Sequence, residues 1–237
     1  MRLPVIFALS VAACGPTAAD NFGNGTDAGD NGGGGGGGGG GGSGGGSNCA
    51  STSVTAQVSP LDIFMMLDQS TSMDESVSGG GTKWAAVTGA MDTFLSQPNL
   101  SGFSAGIGYF GNSQFSDSCN ASTYAAPAVE IAALPGASAS LKTSISGHGP
   151  STGTPTIAAL GGAISHAQTW ATAHPNDITA VVFATDGEPS ECDTVQSHIN
   201  KIASDAYAGT PKIATFVIGV GDSLTSLNSL AAAGGTT

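Results

Sequence analysis

The stretch from Pro60 to Met73 constrains the fold more than any other part of the chain. Residues Ile63–Leu67 are all apolar, which is typical of a strand that is buried on both faces of a parallel sheet. Asp68, Ser70 and Ser72 follow this run at alternate positions. Because open α/β sheets bind ligands at the carboxyl ends of their strands, the stretch predicts a carboxylate and two hydroxyls at a ligand-binding edge.

These three side chains have the chemistry of ligands for a hard cation. Mg²⁺ prefers oxygen ligands in near-octahedral geometry and keeps several water molecules. Asp68, Ser70 and Ser72 would supply part of such a shell. Asp-x-Ser-x-Ser alone is a weak signal, so its meaning depends on which other residues reach the same edge.

A second buried-strand run brings another acid to this edge. Ala180–Ala184 is apolar and is followed by Thr185-Asp186-Gly187-Glu188. If the two strands are parallel, Asp186 lies at the same end of the sheet as Asp68.

Thr154 supplies a further hydroxyl, with two interpretations. It precedes Pro155 and a segment with helical periodicity, so we expect Thr154 to cap a helix whose first residue is Pro155. The alternative role is metal contact, direct or through water. Capping is the simpler explanation for Thr154 alone, and the acids at positions 68 and 186 favour metal contact.

This set of residues resembles the metal-ion-dependent adhesion site of the von Willebrand factor type A domain family, which includes the inserted domains of integrins. The family's site is Asp-x-Ser-x-Ser, a distant Thr and a distant Asp. The matching residues here are Asp68, Ser70, Ser72, Thr154 and Asp186, and the resemblance covers roughly residues 55–237. It implies a Rossmann-like α/β fold, with a doubly wound, mostly parallel sheet and one antiparallel edge strand.

The resemblance also implies a function. A divalent cation, Mg²⁺ or alternatively Mn²⁺ or Ca²⁺, would bind at this edge, and an Asp or Glu carboxylate of a partner protein would complete its shell. Asp68 would be the main anionic ligand, and Ser70 and Ser72 would be direct ligands. Thr154 and Asp186 would act directly or through water. The chain would then be a binding or adhesion module and not an enzyme.

The chain departs from the family pattern at its end. Leu227 and Leu230 belong to a predicted helix, after which the sequence ends at Thr237. The family normally continues with a sixth strand and a closing helix, so we expect a domain that lacks these two elements.

The amino terminus predicts export. Arg2 and the short apolar stretch Leu3–Ala13 form a signal peptide that is too short to span a bilayer. Val11-Ala12-Ala13-Cys14 resembles a bacterial lipobox, which implies lipidation of Cys14, and Gly15 favours an outer-membrane lipoprotein that faces the periplasm or the cell surface. The alternative is an ordinary signal peptide cleaved near Ala13.

Composition divides the chain further. Residues 15–48 include the glycine tract Gly32–Gly42 and are expected to form a flexible linker, because they contain too little apolar surface to offset the entropy of ordering. The predicted domains are therefore the signal peptide 1–14, the linker 15–48 and a type A domain over 49–237.

The formal net charge of −12 excludes nucleic acid and anionic membrane surfaces as natural partners.

Three cysteines, Cys49, Cys119 and Cys192, remain after lipidation of Cys14. An exported protein lies in an oxidising compartment, where disulfides are expected, and an odd number leaves one cysteine over. Spacing alone leaves the connectivity open. The topology of the family places both Cys119 and Cys192 at the metal end, so the resemblance favours a disulfide between them.

Two other functions are weaker alternatives. A metal-dependent hydrolase of the phosphoryl-transfer type would use Asp68 as its nucleophile, but such enzymes carry a second Asp two residues later, where this chain has Ser70. Gly219-Val220-Gly221 follows a predicted strand as in a dinucleotide site, but Leu224 occupies the place of the third glycine. We therefore predict no enzymatic activity.

Secondary structure outside the site is predicted from hydrophobic periodicity and from capping and strand-breaking residues. A helix is expected to begin near Ser190–Asp193, with Val195 facing inward. The other predicted elements are a helix over Lys83–Leu95, a short helical turn over Leu141–Ile145, and strands over Phe103–Phe110, Tyr124–Ala133 and Lys212–Val220. Tyr124–Ala133 contains Pro127, which predicts an edge strand.

Overall fold

The structure is a computed structural model that describes residues 7–9, 54–56, 59–111, 119–187, 189–221 and 225–236. The chain divides into two compact units, Met1–Val58 and Ser59–Thr237. In the first unit, strand β1 (Phe7–Leu9) pairs antiparallel with strand β2 (Val54–Ala56). Cys14, the predicted linker 15–48 and Cys49 lie outside the described residues, so lipidation and the linker stay predictions. The domain boundary predicted at residue 49 is likewise untested.

The second unit alternates strands and helices. Its strands are β3 (Leu61–Asp68), β4 (Phe103–Phe110), β5 (Val129–Ala133), β6 (Ile178–Thr185) and β7 (Ala214–Gly219). Its helices are α1 (Lys83–Leu95), α2 (Ser138–Ser146), α3 (Thr156–Ala173), α4 (Gln196–Ala208) and α5 (Thr225–Ala233). Short 3-10 turns cover Thr71–Asp74 and Ala121–Ala125. In the described ranges, no helix combines the length and apolar character needed to cross a bilayer.

The five strands form one sheet in the order β5-β4-β3-β6-β7. All neighbouring pairs are parallel except β4 and β5, so β5 is an antiparallel strand at one edge. This arrangement confirms the predicted fold class.

The sheet separates two hydrophobic cores. Phe64 and Met66 of β3 face a core that includes buried residues of α3 and α4. Met65 and Leu67 of the same strand face a core that includes buried residues of α1 and α2. Successive side chains of a strand point to opposite faces, so an unbroken apolar run is what a strand between two helical layers requires.

The order of the strands creates a crevice at one end of the sheet. From β3 the chain passes outward through β4 and β5, and then returns to β6 on the other side of β3. The carboxyl ends of β3 and β6 therefore meet at the point where the direction of winding reverses, which is where open α/β sheets bind ligands. Asp68 is the last residue of β3, and Asp186 follows β6 directly.

The predicted edge strand Tyr124–Ala133 is only partly correct. Strand β5 begins at Val129, after Pro127, and residues Ala121–Ala125 form a 3-10 turn. This turn packs against α3 so closely that a Cβ atom on Gly162 would lie 2.5 Å from the carbonyl oxygen of Ala121. The contact with α3 holds these residues away from the sheet edge.

Two helix starts also differ from prediction. Helix α3 begins at Thr156, with Pro155 as its N-cap residue and no side-chain cap, so the prediction that Thr154 caps this helix is wrong. Helix α4 begins at Gln196, and Val195, which was predicted to face inward, is 48% exposed. Asp193 instead accepts a hydrogen bond from the backbone N–H of Val195 at 2.9 Å, which orders the turn before the helix.

Candidate metal centre

Asp68 lies fully buried at the carboxyl end of β3. Its Oδ1 accepts a hydrogen bond from the backbone N–H of Ser70 at 2.7 Å, and its Oδ2 accepts one from the Thr185 hydroxyl at 2.6 Å. Thr185 ends the neighbouring strand β6, so the two strand ends are joined through this carboxylate. These two bonds fix the orientation of Asp68.

Ser70, Ser72 and Asp186 form a continuous chain of hydrogen bonds. The Oγ atoms of Ser70 and Ser72 are 3.0 Å apart, and the Ser72 hydroxyl donates to Asp186 Oδ1 at 2.8 Å. Ser72 and Asp186 are separated by 114 residues in the sequence. Four of the five predicted site residues, Asp68 included, are therefore joined at one end of the sheet.

Thr154 is brought to the same end by backbone contacts. The Thr71 N–H donates to Thr152 O at 2.8 Å, which joins the loop before Thr154 to the loop after β3. On its other side, the Thr154 N–H donates to Ser190 Oγ at 2.9 Å, and the Ser190 N–H donates to Thr154 O at 3.1 Å. Thr154 is buried between the loops that follow β3 and β6.

Gly111 allows these loops to approach one another. It has a φ of +77°, and a Cβ atom there would lie 2.7 Å from Ser70 N and 2.9 Å from Gly153 O. Only a residue without a side chain fits between the loop that carries Ser70 and the loop that carries Thr154 without displacing them.

Lys83, the first residue of α1, reaches across to Asp186. Its Nζ lies 2.8 Å from Asp186 Oδ2 and 2.6 Å from Glu75 Oε2. Burial lowers the pKa of Lys83, but its hydrogen bonds to Asp186 and Glu75 outweigh this and raise the pKa above its ordinary value. Both oxygens of Asp186, whose side chain is fully buried, therefore have a hydrogen-bond donor.

Burial also perturbs Asp68. It raises the pKa of this carboxyl from the ordinary 3.8 to about 6, with a smaller contribution in the same direction from the charge of Asp186. The hydrogen bonds from Thr185 and Ser70 oppose the rise. The ionised form is thus disfavoured in a site that contains only protein atoms, and a cation beside the carboxylate would stabilise it.

We expect the metal-free protein to lose stability as pH rises from about 4 to about 6, because the folded state binds the Asp68 proton more tightly than the unfolded state does. The protonated Asp68 contributes its full stabilisation below the pKa of 3.8 that the group has in the unfolded state, and this contribution is lost as pH rises past the folded-state pKa of about 6. The loss in the free energy of unfolding is about 3 kcal/mol. Urea unfolding at several pH values with a chelator present would measure it. The comparison is the Asp68→Ala variant, since other acids also titrate. Equal pH slopes for the two proteins would contradict the prediction.

A disulfide lies beside the site. Cys119 and Cys192 are bonded, with their Cα atoms 5.4 Å apart, and this is the pair that the resemblance favoured. Cys192 belongs to the loop between β6 and α4, which also contains Ser190. The disulfide therefore ties the loop between β6 and α4, whose Ser190 contacts Thr154, to the segment after β4.

The donor set fits a hard divalent cation. Two carboxylates and three hydroxyls are all oxygen donors, which Mg²⁺, Mn²⁺ and Ca²⁺ accept. Because the Ser72 hydroxyl donates its proton to Asp186, it accepts the proton of the Ser70 hydroxyl, which leaves one lone pair on Ser72 Oγ and both lone pairs on Ser70 Oγ for a cation. Within the described ranges, no three His, Cys, Asp or Glu side chains cluster as metal ligands, so a site here depends on the hydroxyls.

Sequence reasoning missed three contributors to this arrangement. Lys83 was noted only as the start of a helix, Thr185 only as a neighbour of Asp186, and Ser190 only as part of a helix start. Thr185 carries a usable signal, because it ends a strand that pairs in register with the strand of Asp68. Lys83 carries none, because its partner Asp186 lies 103 residues away in the sequence.

Comparison with known proteins identifies the family. The profile of the von Willebrand factor type A domain matches residues 62–236. A search of curated protein sequences found no match. Among solved structures, the manganese-loaded TRAP protein of Plasmodium vivax aligns with a TM-score of 0.43 and 14% identity, over 72% of this chain and 61% of that chain.

Two other solved structures align at similar identity. Proximal thread matrix protein 1 from the mussel byssus aligns with a TM-score of 0.44 and 17% identity, over 73% of this chain and 41% of that chain. An uncharacterised membrane spanning protein from Vibrio fischeri gives a TM-score of 0.28 and 14% identity, over 73% of this chain and 87% of that chain. The alignments cover less than two thirds of the TRAP and thread matrix structures. Because the family profile matches most of the sequence, this chain belongs to the von Willebrand factor type A domain family.

Proposed function

We propose that the domain is a divalent-cation-dependent protein-binding module. Asp68, Ser70 and Ser72 would coordinate the cation directly, and Thr154 and Asp186 would act directly or through water. The observation that carries the proposal is the hydrogen bond from the Ser72 hydroxyl to Asp186, because it joins the loop after β3 to the end of β6 at the crevice of the sheet.

The charge of the crevice supports a cation there. Asp68 and Asp186 are both buried acids, and Lys83 is the only basic residue with a described ion pair to either of them. Lys83 also pairs with Glu75. Buried carboxylates are stabilised by opposite charge, so the remaining negative charge favours uptake of a cation.

The side chains of the site would hold and orient the cation. The cation would supply a Lewis-acidic position for a carboxylate oxygen of the partner. Thr185 and the Ser70 N–H keep Asp68 in its orientation, and Ser72 holds Asp186. Mg²⁺ is the first candidate because hydroxyl-rich ligation leaves several positions for water, and Mn²⁺ or Ca²⁺ are alternatives.

The family supports a binding role and not catalysis. Type A domains are typically protein-interaction modules, and membership does not favour the phosphoryl-transfer alternative in which Asp68 is a nucleophile. The net charge of −12 is unfavourable for a nucleic-acid partner. We therefore propose a protein partner that presents an Asp or Glu side chain.

We also propose that the module is exported and tethered to a bacterial envelope. The support is the sequence of the amino terminus, in which a short apolar stretch ends at Cys14 and a glycine-rich segment separates it from the domain. Diacyl or triacyl lipidation of Cys14 would give stable anchoring, and Gly15 favours the outer membrane.

Mn²⁺ provides a direct test, because its paramagnetism reports the water molecules bound to it. We expect the domain to bind Mn²⁺ and to raise the water-proton relaxation rate, and acetate to lower that rate by displacing bound water. A single carboxylate without the rest of an interface should bind with a dissociation constant of roughly 1–100 mM. Acetamide has a similar shape without the charge and should have little effect.

The outcomes separate the two parts of the proposal. If neither Mn²⁺ nor Mg²⁺ binds in titration calorimetry, the domain is not metal-dependent and the proposal fails. If Mn²⁺ binds but acetate and acetamide give the same relaxation rate, capture of a carboxylate through the metal is wrong. The Asp68→Ala variant measured with the same acetate series corrects for binding of acetate to free Mn²⁺.

A further inference from the structure

Lys83 places a positive charge at the edge of the proposed cation site. Its ammonium lies 2.8 Å from Asp186 Oδ2, and only 14% of its side chain is exposed. The second partner, Glu75, is 66% exposed and therefore well hydrated. The pair with the fully buried Asp186 is consequently the one that fixes the position of the ammonium.

Asp186 has no unoccupied oxygen in this arrangement. Ser72 donates to Oδ1 and Lys83 donates to Oδ2. A buried carboxylate without partners is strongly unfavourable, so these two donors stabilise Asp186 in the protein itself. A cation that used Oδ2 directly would share this oxygen with Lys83, and a cation bound through Ser72 would lie close to the ammonium.

We propose that Lys83 is a built-in counter-ion of the cation site, which holds Asp186 in place in the metal-free protein and lowers the affinity for the metal. This inference rests on the proposed function. Both consequences follow from one charge: the ammonium satisfies Asp186 before a cation arrives, and it repels the cation afterwards. Lys83 is thus a positioning residue that sets how readily the site fills, while the ligands set where the cation lies.

The size of the repulsion follows from the distances. Asp186 separates the ammonium from Ser72, with hydrogen bonds of 2.8 Å on each side. One carboxylate and two hydrogen bonds lie between the ammonium and the Ser72 oxygen; at a separation on the order of 6 Å, repulsion between a single and a double charge lowers affinity roughly tenfold even at the dielectric constant of water. Loss of the competing donor to Asp186 acts in the same direction.

The test compares wild type with Lys83→Met by titration calorimetry with Mn²⁺ and by thermal unfolding in chelator. We expect Lys83→Met to bind Mn²⁺ roughly tenfold more tightly and to unfold at a lower temperature without metal, since Asp186 then loses a donor. A purely structural role for Lys83 would lower stability and would not tighten binding. Lys83→Gln keeps a neutral donor for Asp186, so this variant should be more stable than Lys83→Met without metal. It should also bind Mn²⁺ more tightly than wild type does.

Lys142→Met is the matched control. Lys142 pairs with Asp92 at 2.9 Å and contacts Ser96, just after the last residue of α1, so its loss removes the same charge away from the site. Its affinity for Mn²⁺ should stay within about threefold of wild type. If wild type binds Mn²⁺ and both Lys83 variants bind equally or more weakly, the counter-ion role is overturned while the proposed function stands. If wild type and both Lys83 variants bind no metal, the proposed function itself fails.

Discussion

The Asp68→Ala variant is expected to lose measurable binding of Mg²⁺ and Mn²⁺, with a dissociation constant raised at least about 100-fold. Loss of a residue that only orients a ligand commonly costs 10–100-fold, so loss of the main anionic ligand should reach or exceed the upper end of that range. Titration calorimetry measures the affinity. Thermal unfolding gives a second readout, because saturating metal should raise the unfolding temperature of the wild type and not of the variant.

The metal-free stability of this variant separates loss of a ligand from loss of the fold. Truncation leaves the Thr185 hydroxyl and the Ser70 N–H without their acceptor, which is destabilising. It also removes a carboxylate whose pKa burial has raised to about 6, which is stabilising at neutral pH. We expect these two effects on the free energy of unfolding to offset one another to within about 2 kcal/mol.

Asp74→Ala is the control for charge. Asp74 is an exposed acid in the 3-10 turn that follows Ser70, so its loss changes the net charge of the same loop without removing a proposed ligand. Its metal affinity should stay within about threefold of wild type, because exposed charges are screened by salt. Equal losses in Asp68→Ala and Asp74→Ala would mean that the acidic loop attracts cations without a defined shell, and the assigned ligands would be wrong.

The sheet and the positions of its acids were predictable because their signals are local. The run Ile63–Leu67 lies within β3, and Ala180–Ala184 lies within β6. Each run is apolar because both faces of its strand are covered. Polar residues follow each run where the chain leaves the space between the two helical layers. Parallel pairing then places Asp68 and Asp186 at one edge, so this part of the site follows from the pattern.

Other features depend on contacts that leave no local signal. Tyr124 and Ala125 were predicted to begin a strand, but they belong to the 3-10 turn Ala121–Ala125, which packs against Gly162 of α3. Thr154 precedes Pro155 as a capping residue would, but its backbone is bonded to Ser190 and the helix begins two residues later. In both cases a tertiary contact overrides the local preference.

Gly111→Ala is expected to destabilise the protein by about 3–4 kcal/mol and to weaken metal binding at least about tenfold, although Gly111 contacts no cation. A left-handed φ of +77° costs an alanine about 1 kcal/mol. Steric crowding costs more, because the Cβ would lie 2.7 Å from Ser70 N and 2.9 Å from Gly153 O, and both neighbours are backbone atoms that cannot rotate away. Urea unfolding and titration calorimetry with Mn²⁺ measure the two effects.

The affinity should fall because the same displacement moves the ligands. The Ser70 N–H donates to Asp68 Oδ1, so a shift of this backbone disturbs Asp68 and Ser70 together, and a shift at Gly153 disturbs Thr154. Gly102→Ala separates strain from crowding: Gly102 has a φ of +97°, but a Cβ there meets nothing within 4 Å. It should cost only about 1–2 kcal/mol and leave the affinity unchanged. If Gly102→Ala and Gly111→Ala bound Mn²⁺ equally well, close contact between these loops would not be what assembles the site.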